Sequence, residues 1–261
     1  MRRDVRNGAG SCAGGPRDGS GGRFASERGS PHAGAISGWM RMLKRPARSM
    51  PPSDGPATYV IGDIHGCLQP LQWLLQKIAP QPDDEVVFIG DYIDRGPQSR
   101  EVVDHVLGLP YRCVFLLGNH EKMLLDFLDG TDEGLYLANG GASTLKSYGG
   151  DFSTLPAAHL SFFRSLRLMY ETDGYLFVHA GIRPLIPLQD QMVDDLVWIR
   201  HEFFQFIGRF PKPIVFGHTP LRQVLLSEDR IGIDTGCVYG GKLTCLKLPE
   251  REIIQVPGWR G

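Results

Sequence analysis

The sequence contains no apolar run that reaches the ~18 residues of a membrane-spanning helix, so no membrane span or membrane partner is expected. It has only five cysteines (Cys12, Cys67, Cys113, Cys237 and Cys245), an odd number, scattered and without CxxC spacing. That pattern argues against both a disulfide scaffold and a thiolate zinc site, and a reducing cytoplasm is the expected location. There is little excess of either charge: the net value is −1, which gives no reason to expect a nucleic-acid partner. No hydrophobic stretch follows Met1-Arg2-Arg3, so no secretory signal is expected. Internal repeats are lacking as well.

What is present is an ordinary globular balance. Of 261 residues, 42% are hydrophobic and 22% charged, which is enough apolar content for a sizeable core. The distribution is uneven. Residues 1–55 carry ten Lys/Arg against four Asp/Glu, a net of +6, which leaves −7 for residues 56–261. The first 55 residues are rich in Gly, Ser, Pro and Arg and show almost no apolar periodicity. Such a segment buries too little surface to offset its ordering entropy, and a disordered basic tail is expected there. The catalytic body is expected over 56–261.

From Ala57 the texture changes. Residues 58–61 form a β-branched apolar run stopped by Gly62, which reads as a buried strand. Leu68, Leu71, Leu74, Leu75 and Ile78 follow at helical spacing. Further strands are expected over 85–89 and 112–117, each closed by a glycine, with helices over 97–107 and 121–128. This is a βαβαβ order. Residues 130–172 read as a helical insert, with a turn at Asn139-Gly140-Gly141 and a short helix over 156–168. Strands are then expected over 175–178 and 214–216, with one helix over 193–206 between them. Residues 231–234 and 242–248 look like paired strands, 253–256 reads as one more, and these short late strands point to a second sheet packed on the first.

Five motifs stand at the ends of these strands: Gly62-Asp63-Ile64-His65-Gly66, Gly90-Asp91-Tyr92-Ile93-Asp94-Arg95-Gly96, Gly118-Asn119-His120-Glu121, His179-Ala180-Gly181 and Gly217-His218. Asp63, Asp91 and Asn119 follow one another at intervals of 28 residues, about the length of one βαβ unit. That spacing returns the chain to one edge of a parallel sheet, where open α/β sheets hold their ligands. Each motif alone is weak, since an Asp-x-His pair is commonly a surface loop and a histidine after an apolar strand is commonly a core residue. Five in order, each at a strand end, point to one site. Carboxylate, imidazole and amide oxygen suit Mn²⁺, Fe or Zn²⁺, and Mn²⁺ is the first expectation. A pair of ions needs a bridging anion, and Asp91 in the middle motif is the natural bridge. Asp63 and His65 are then expected on one ion, and Asn119, His179 and His218 on the other.

The first three motifs resemble the signature of the phosphoprotein phosphatases of the calcineurin-like metallophosphoesterase superfamily. His179-Ala180-Gly181-Ile182 and Ile233-Asp234-Thr235-Gly236 look like its bacterial and phage branch. The resemblance covers residues 58–248. It implies an α/β, four-layer metallophosphoesterase fold, a central β-sandwich of mixed sheets flanked by helices. It implies two divalent metal ions on Asp63, His65, Asp91, Asn119, His179 and His218, an active-site pair of His120 and Asp94, and a phosphate-binding Arg95. The second phosphate-binding arginine is left between Arg200, in Trp198-Ile199-Arg200, and Arg183. Where eukaryotic members have an arginine before Gly-Asn-His-Glu, this chain has Leu117.

The activity implied is hydrolysis of phosphate monoesters in proteins, on phosphoserine and phosphothreonine, with phosphotyrosine left open; phosphorylated proteins are the expected partners and a monomer the expected state. Two alternatives stand beside it. One is a symmetrical dinucleoside tetraphosphate hydrolase; those relatives resemble Gly-Asp-x-x-Ala-Arg-Gly and Gly-Asn-His-Asp, where this chain has Asp94 and Glu121. The other is a non-catalytic phosphoprotein-binding module, which a lost ligand would mark.

Overall fold

The computed structural model describes residues 55–131 and 133–261, so the tail expected over 1–55 lies outside the described residues except for Gly55. The described chain runs β1 (Thr58–Ile61), α1 (Leu68–Ile78), β2 (Glu85–Phe88), α2 (Ser99–Leu107), β3 (Arg112–Phe115) and α3 (Asn119–Leu128). Next come α4 (Glu133–Tyr136), a π-helical turn (Leu137–Gly141), α5 (Ala142–Ser147) and α6 (Ala157–Ser165). The second half holds β4 (Met169–Glu171), β5 (Leu176–Val178), α7 (Val193–Trp198), α8 (His201–Gln205), β6 (Ile214–Phe216), β7 (Leu225–Leu226), β8 (Arg230–Gly232), β9 (Lys242–Leu248) and β10 (Glu252–Pro257).

The strands make two five-stranded sheets, ordered β10-β9-β1-β2-β3 and β4-β5-β6-β8-β7. β1, β2 and β3 are parallel neighbours, as are β5, β6 and β8. Side-chain alternation explains the layering. Val60 and Val87 point into an inner core with Phe177, Val215 and Ile231 from the second sheet. Their neighbours Tyr59, Ile61, Val86 and Phe88 point the other way, against α1, α2 and the insert. Leu176, Val178, Ile214 and Phe216 likewise turn outward against Leu196 of α7 and Phe203 of α8. Helices, sheet, sheet, helices: this is the four-layer α/β architecture.

Two expectations are corrected. Residues 231–234 and 242–248 do not pair as strands; β8 lies in the second sheet, β9 and the strand expected over 253–256 (β10) lie in the first, and only an isolated bridge, Thr235 to Lys242, joins the two segments. Periodicity shows which face of a strand is buried and not which sheet the strand joins, so it could not assign the two runs to different sheets. The single helix expected over 193–206 is two, α7 and α8, interrupted at Ile199 and Arg200. Ile199 takes an extended conformation that keeps it in the core, and the break aims Arg200 sideways. Among the described residues no helix is long and apolar enough to cross a membrane.

Candidate active site

All five motifs converge where the C-terminal ends of β1, β2, β3, β5 and β6 meet. The turns there are tight. His65, Asp91, Asp94, Arg95 and His218 all have positive φ, between 50° and 72°, a left-handed backbone that costs non-glycine residues of order 1–3 kcal/mol each. Gly118 is required by proximity: a Cβ there would overlap an Asp91 carboxylate oxygen and sit 2.7 Å from Glu121 Oε2.

Glu121 holds this architecture, a role the sequence reading missed. It is fully buried and accepts the backbone N–H groups of Asp91 (2.9 Å), Tyr92 (2.8 Å), Ile93 (3.3 Å) and Gly118 (3.2 Å). Burial, then the carboxylates of Asp91 and Asp94, push its carboxyl well above the ordinary range. Four backbone donors on one side chain tie the second motif to the third. Glu121→Ala strands those amides without solvent, at ~1–3 kcal/mol for each buried group left unmade. The expected result is a loss of at least 3 kcal/mol in denaturant unfolding; a change below 1 kcal/mol would mean that the loop holds itself.

Asp91 sits at the centre. His65 Nε2 is 3.5 Å from Asp91 Oδ2, and His179 Nε2 is 3.4 Å from Asp91 Oδ1. Two groups of ligand-type atoms therefore share it: His65, Asp91 and His120 on one side, and Asp91, His179 and His218 on the other, the atoms of each group within 4.8 Å of one another. Asn119 Oδ1 lies 2.9 Å from both His179 Nε2 and His218 Nδ1. Asp63 Oδ2 accepts the His218 N–H at 3.0 Å, while Asp63 Oδ1 is buried with no hydrogen-bond partner.

The donor set fits cations. His179 Nδ1 donates to the Ile89 carbonyl, so the neutral ring turns its lone pair on Nε2 toward the oxygens of Asn119 and Asp91. Acceptor faces acceptor, which a bound cation would resolve. His65 likewise donates from Nδ1 to the Ile93 carbonyl, leaving Nε2 as the coordinating atom. Burial pushes His65 down to about 3, and burial also lowers His179 and His218, so these imidazoles are neutral. Burial, then Asp234 and Asp91, push the Asp63 carboxyl well up, and burial helps to push Asp234 up to about 6. Crowded acids in a dry site resist ionisation, and divalent cations would relieve them. Asp234 is a site residue that the sequence reading misses; its motif, Ile233-Asp234-Thr235-Gly236, is the signal that could have found it.

Around this centre stand the other residues expected at the site. His120 Nδ1 is 2.6 Å from Asp94 Oδ2, and His120 Nε2 is buried with no partner. Arg95 Nη1 reaches His65 Nε2 at 2.6 Å. Arg200 donates to His218 Nε2 at 3.0 Å, and burial followed by the charge of Arg95 lowers its pKa. Arg183 lies elsewhere, in a two-point ion pair with Asp195 at 2.7 and 2.6 Å. The other partners of Asp94, Tyr136 and Thr144, come from the insert and carried no signal in the sequence.

The profile of the family described as calcineurin-like phosphoesterase matches residues 57–248, every strand of both sheets except β10. This chain is a calcineurin-like phosphoesterase. An asymmetrical bis(5'-nucleosyl)-tetraphosphatase PrpE from Anoxybacillus flavithermus is 31% identical over 239 residues, spanning 76% of this chain and 93% of the relative. A solved structure described as a candidate diadenosine tetraphosphatase superposes with a TM-score of 0.65 at 27% identity, over 83% of this chain and 100% of that one. The cold-active protein-tyrosine phosphatase of a psychrophilic Shewanella shares the fold, with a TM-score of 0.56 at 19% identity over 80% of each chain. The phosphoesterase is metal-dependent, with the ligand-type residues above as its candidate site.

Proposed function

We propose that this phosphoesterase hydrolyses dinucleoside tetraphosphates asymmetrically, one water converting the substrate to a nucleoside triphosphate and a nucleoside monophosphate. The observation that carries the phosphoesterase chemistry is the pair of ligand groups sharing Asp91, flanked by Arg95 and Arg200. The nucleotide class is supported by the relatives' names. These support it better than the phosphoprotein substrate expected from the motifs. Asp94 and Glu121 distinguish this chain from symmetrical hydrolases and do not bear on asymmetrical cleavage.

Two divalent ions, Mn²⁺ by preference, would be held by Asp63, His65, Asp91, Asn119, His179 and His218; when bound they supply a water of lowered pKa and offset phosphate charge. Arg95 and Arg200 bind the phosphate oxygens, planar guanidinium against phosphate, while Arg183 stays with Asp195. His120 delivers a proton to the leaving oxygen from Nε2, its ring oriented by Asp94. Four described cysteines, all free, are consistent with a reducing cytoplasmic setting.

Tyr239 offers a surface for the base. It is 62% exposed, and the Arg95 guanidinium carbon lies 5.7 Å from its ring centroid. Aromatic faces hold nucleobases by stacking, at about 1–3 kcal/mol per base. Tyr239→Ala is expected to raise KM for diadenosine tetraphosphate about tenfold or more and leave KM for para-nitrophenyl phosphate within twofold. Equal effects on both would remove Tyr239 from base recognition.

One observation favours the phosphomonoester reading: the complete His120–Asp94 pair suits an alkoxide leaving group, which needs a proton more than a phosphoanhydride does. A panel under Mn²⁺ decides between them. Diadenosine tetraphosphate should be the preferred substrate and give ATP and AMP. Preferred turnover of a phosphoserine peptide, or two ADP as products, would overturn the proposal.

A further inference from the structure

We propose that Tyr136 and Thr144 are positioning residues of the His120–Asp94 pair, so that the helical insert between β3 and β4 is a working part of the site. The proposal rests on the reading of His120 as proton donor.

Asp94 is buried and left-handed, with φ of 72°, a conformation it would not hold unaided. Its carboxylate oxygens are divided. Oδ2 takes the His120 ring at 2.6 Å. Oδ1 takes two hydroxyls from the insert, Tyr136 at 3.0 Å and Thr144 at 2.6 Å. The protons can be assigned without conflict. Thr144 Oγ1 has one hydrogen and gives it to Asp94 Oδ1. It then accepts the Asp94 backbone N–H at 2.9 Å, an amide that Ser99 Oγ also accepts at 3.1 Å. One threonine hydroxyl thus grips both the amide and the carboxylate of the same aspartate. Hydrogen bonds to a carboxylate are among the stronger ones, and in a dry interior they fix direction.

The insert is held well enough to transmit that direction. The Tyr136 ring packs against Phe127 (5.3 Å between centroids) and Phe152 (6.2 Å), and a Cβ on Gly141 would run into it at 2.6 Å. Burial and Asp94 raise the Tyr136 phenol, which keeps it a donor. At the far end Tyr148 Oη meets His159 Nδ1 at 2.7 Å, and His159 Nε2 meets Asp104 on α2 at 2.9 Å. The same insert grips the phosphate-binding residue. The Arg95 N–H donates to the Gly140 carbonyl at 3.3 Å, and a Cβ on Gly140 (φ +104°) would stand 2.8 Å from Arg95 Cγ. The proton-donating pair and the first arginine are therefore aimed by one element, and it contributes no ligand-type atom to the groups around Asp91.

The test compares Tyr136→Phe, Thr144→Val, Thr144→Ser and His120→Asn on phenyl phosphate, a poor leaving group, and para-nitrophenyl phosphate, a good one. Thr144→Val and Tyr136→Phe should lose about tenfold or more in kcat on phenyl phosphate and less than threefold on the nitrophenyl ester, with KM little changed; small displacements of reacting groups have effects of this order. Thr144→Ser should restore the wild-type ratio. If His120→Asn discriminates between the esters and the insert variants do not, the insert is structural and the proposal falls alone. If His120→Asn itself does not discriminate, the proton-donor reading falls and takes the proposal with it. A second readout needs no turnover. The hydrogen-bonded Nδ1 proton of His120, followed by NMR, should move in Tyr136→Phe and Thr144→Val and return in Thr144→Ser. An unmoved resonance overturns the proposal.

Discussion

Replacing Asp91 with Asn is expected to reduce turnover about a thousandfold, and dialysis against chelator to remove it, with recovery on adding Mn²⁺. Asp91 is the only residue common to both groups of ligand-type atoms among the described residues, and it has one carboxylate oxygen toward each. An amide in its place offers a single, uncharged oxygen, so one ion is lost or both are weakened. Metal assistance contributes several kcal/mol of charge stabilisation, and each 1.36 kcal/mol is tenfold in rate. Metal content separates this from damage to the fold: wild type should bind two Mn²⁺ per chain and Asp91→Asn fewer, with the thermal midpoint rising on Mn²⁺ addition only where binding survives. Full activity after exhaustive chelation would end the two-metal reading.

Loss of His120 is the second large effect, and its size should depend on the substrate. The ring is buried, oriented through Nδ1 by Asp94, and presents an unpartnered Nε2. Proton transfer to a leaving group contributes typically ~10²–10⁴-fold. A phosphoserine alkoxide needs that proton; a nitrophenolate does not. His120→Asn should therefore lose about 10²-fold or more on a phosphoserine peptide and far less on para-nitrophenyl phosphate, with metal content unchanged. Loss on diadenosine tetraphosphate should be as small as on the nitrophenyl ester, since its leaving group is a phosphate anion of similarly low basicity. Equal losses across all three would reassign His120 to holding charge or placing the nucleophile.

These expectations draw unequally on the sequence. The β1, β2 and β3 strands, their parallel order and the place of the first three motifs were legible, because a short apolar run and a closing glycine are local signals. The arginines show where locality ends. Arg183 stands beside His179-Ala180-Gly181 in the chain, yet Asp195 draws its guanidinium away. Arg200 lies 18 residues from His218 and reaches it only because α7 and α8 are broken between Trp198 and His201. Helical propensity alone reads straight through that break.

By itself the sequence determined the layered α/β class, the order of the strand ends and the residue types gathered there, since each is fixed by short-range pattern and by the spacing of βαβ units. Tertiary structure alone decided how those residues are aimed. Glu121 clamps amides 28 to 30 residues away, and Tyr136 and Thr144 meet Asp94 across 42 and 50 residues. Hydroxyls inside short helices and a glutamate in a first turn have no distinctive local pattern. Their function exists only where packing removes water, leaving each buried donor and acceptor to find its partner within the protein.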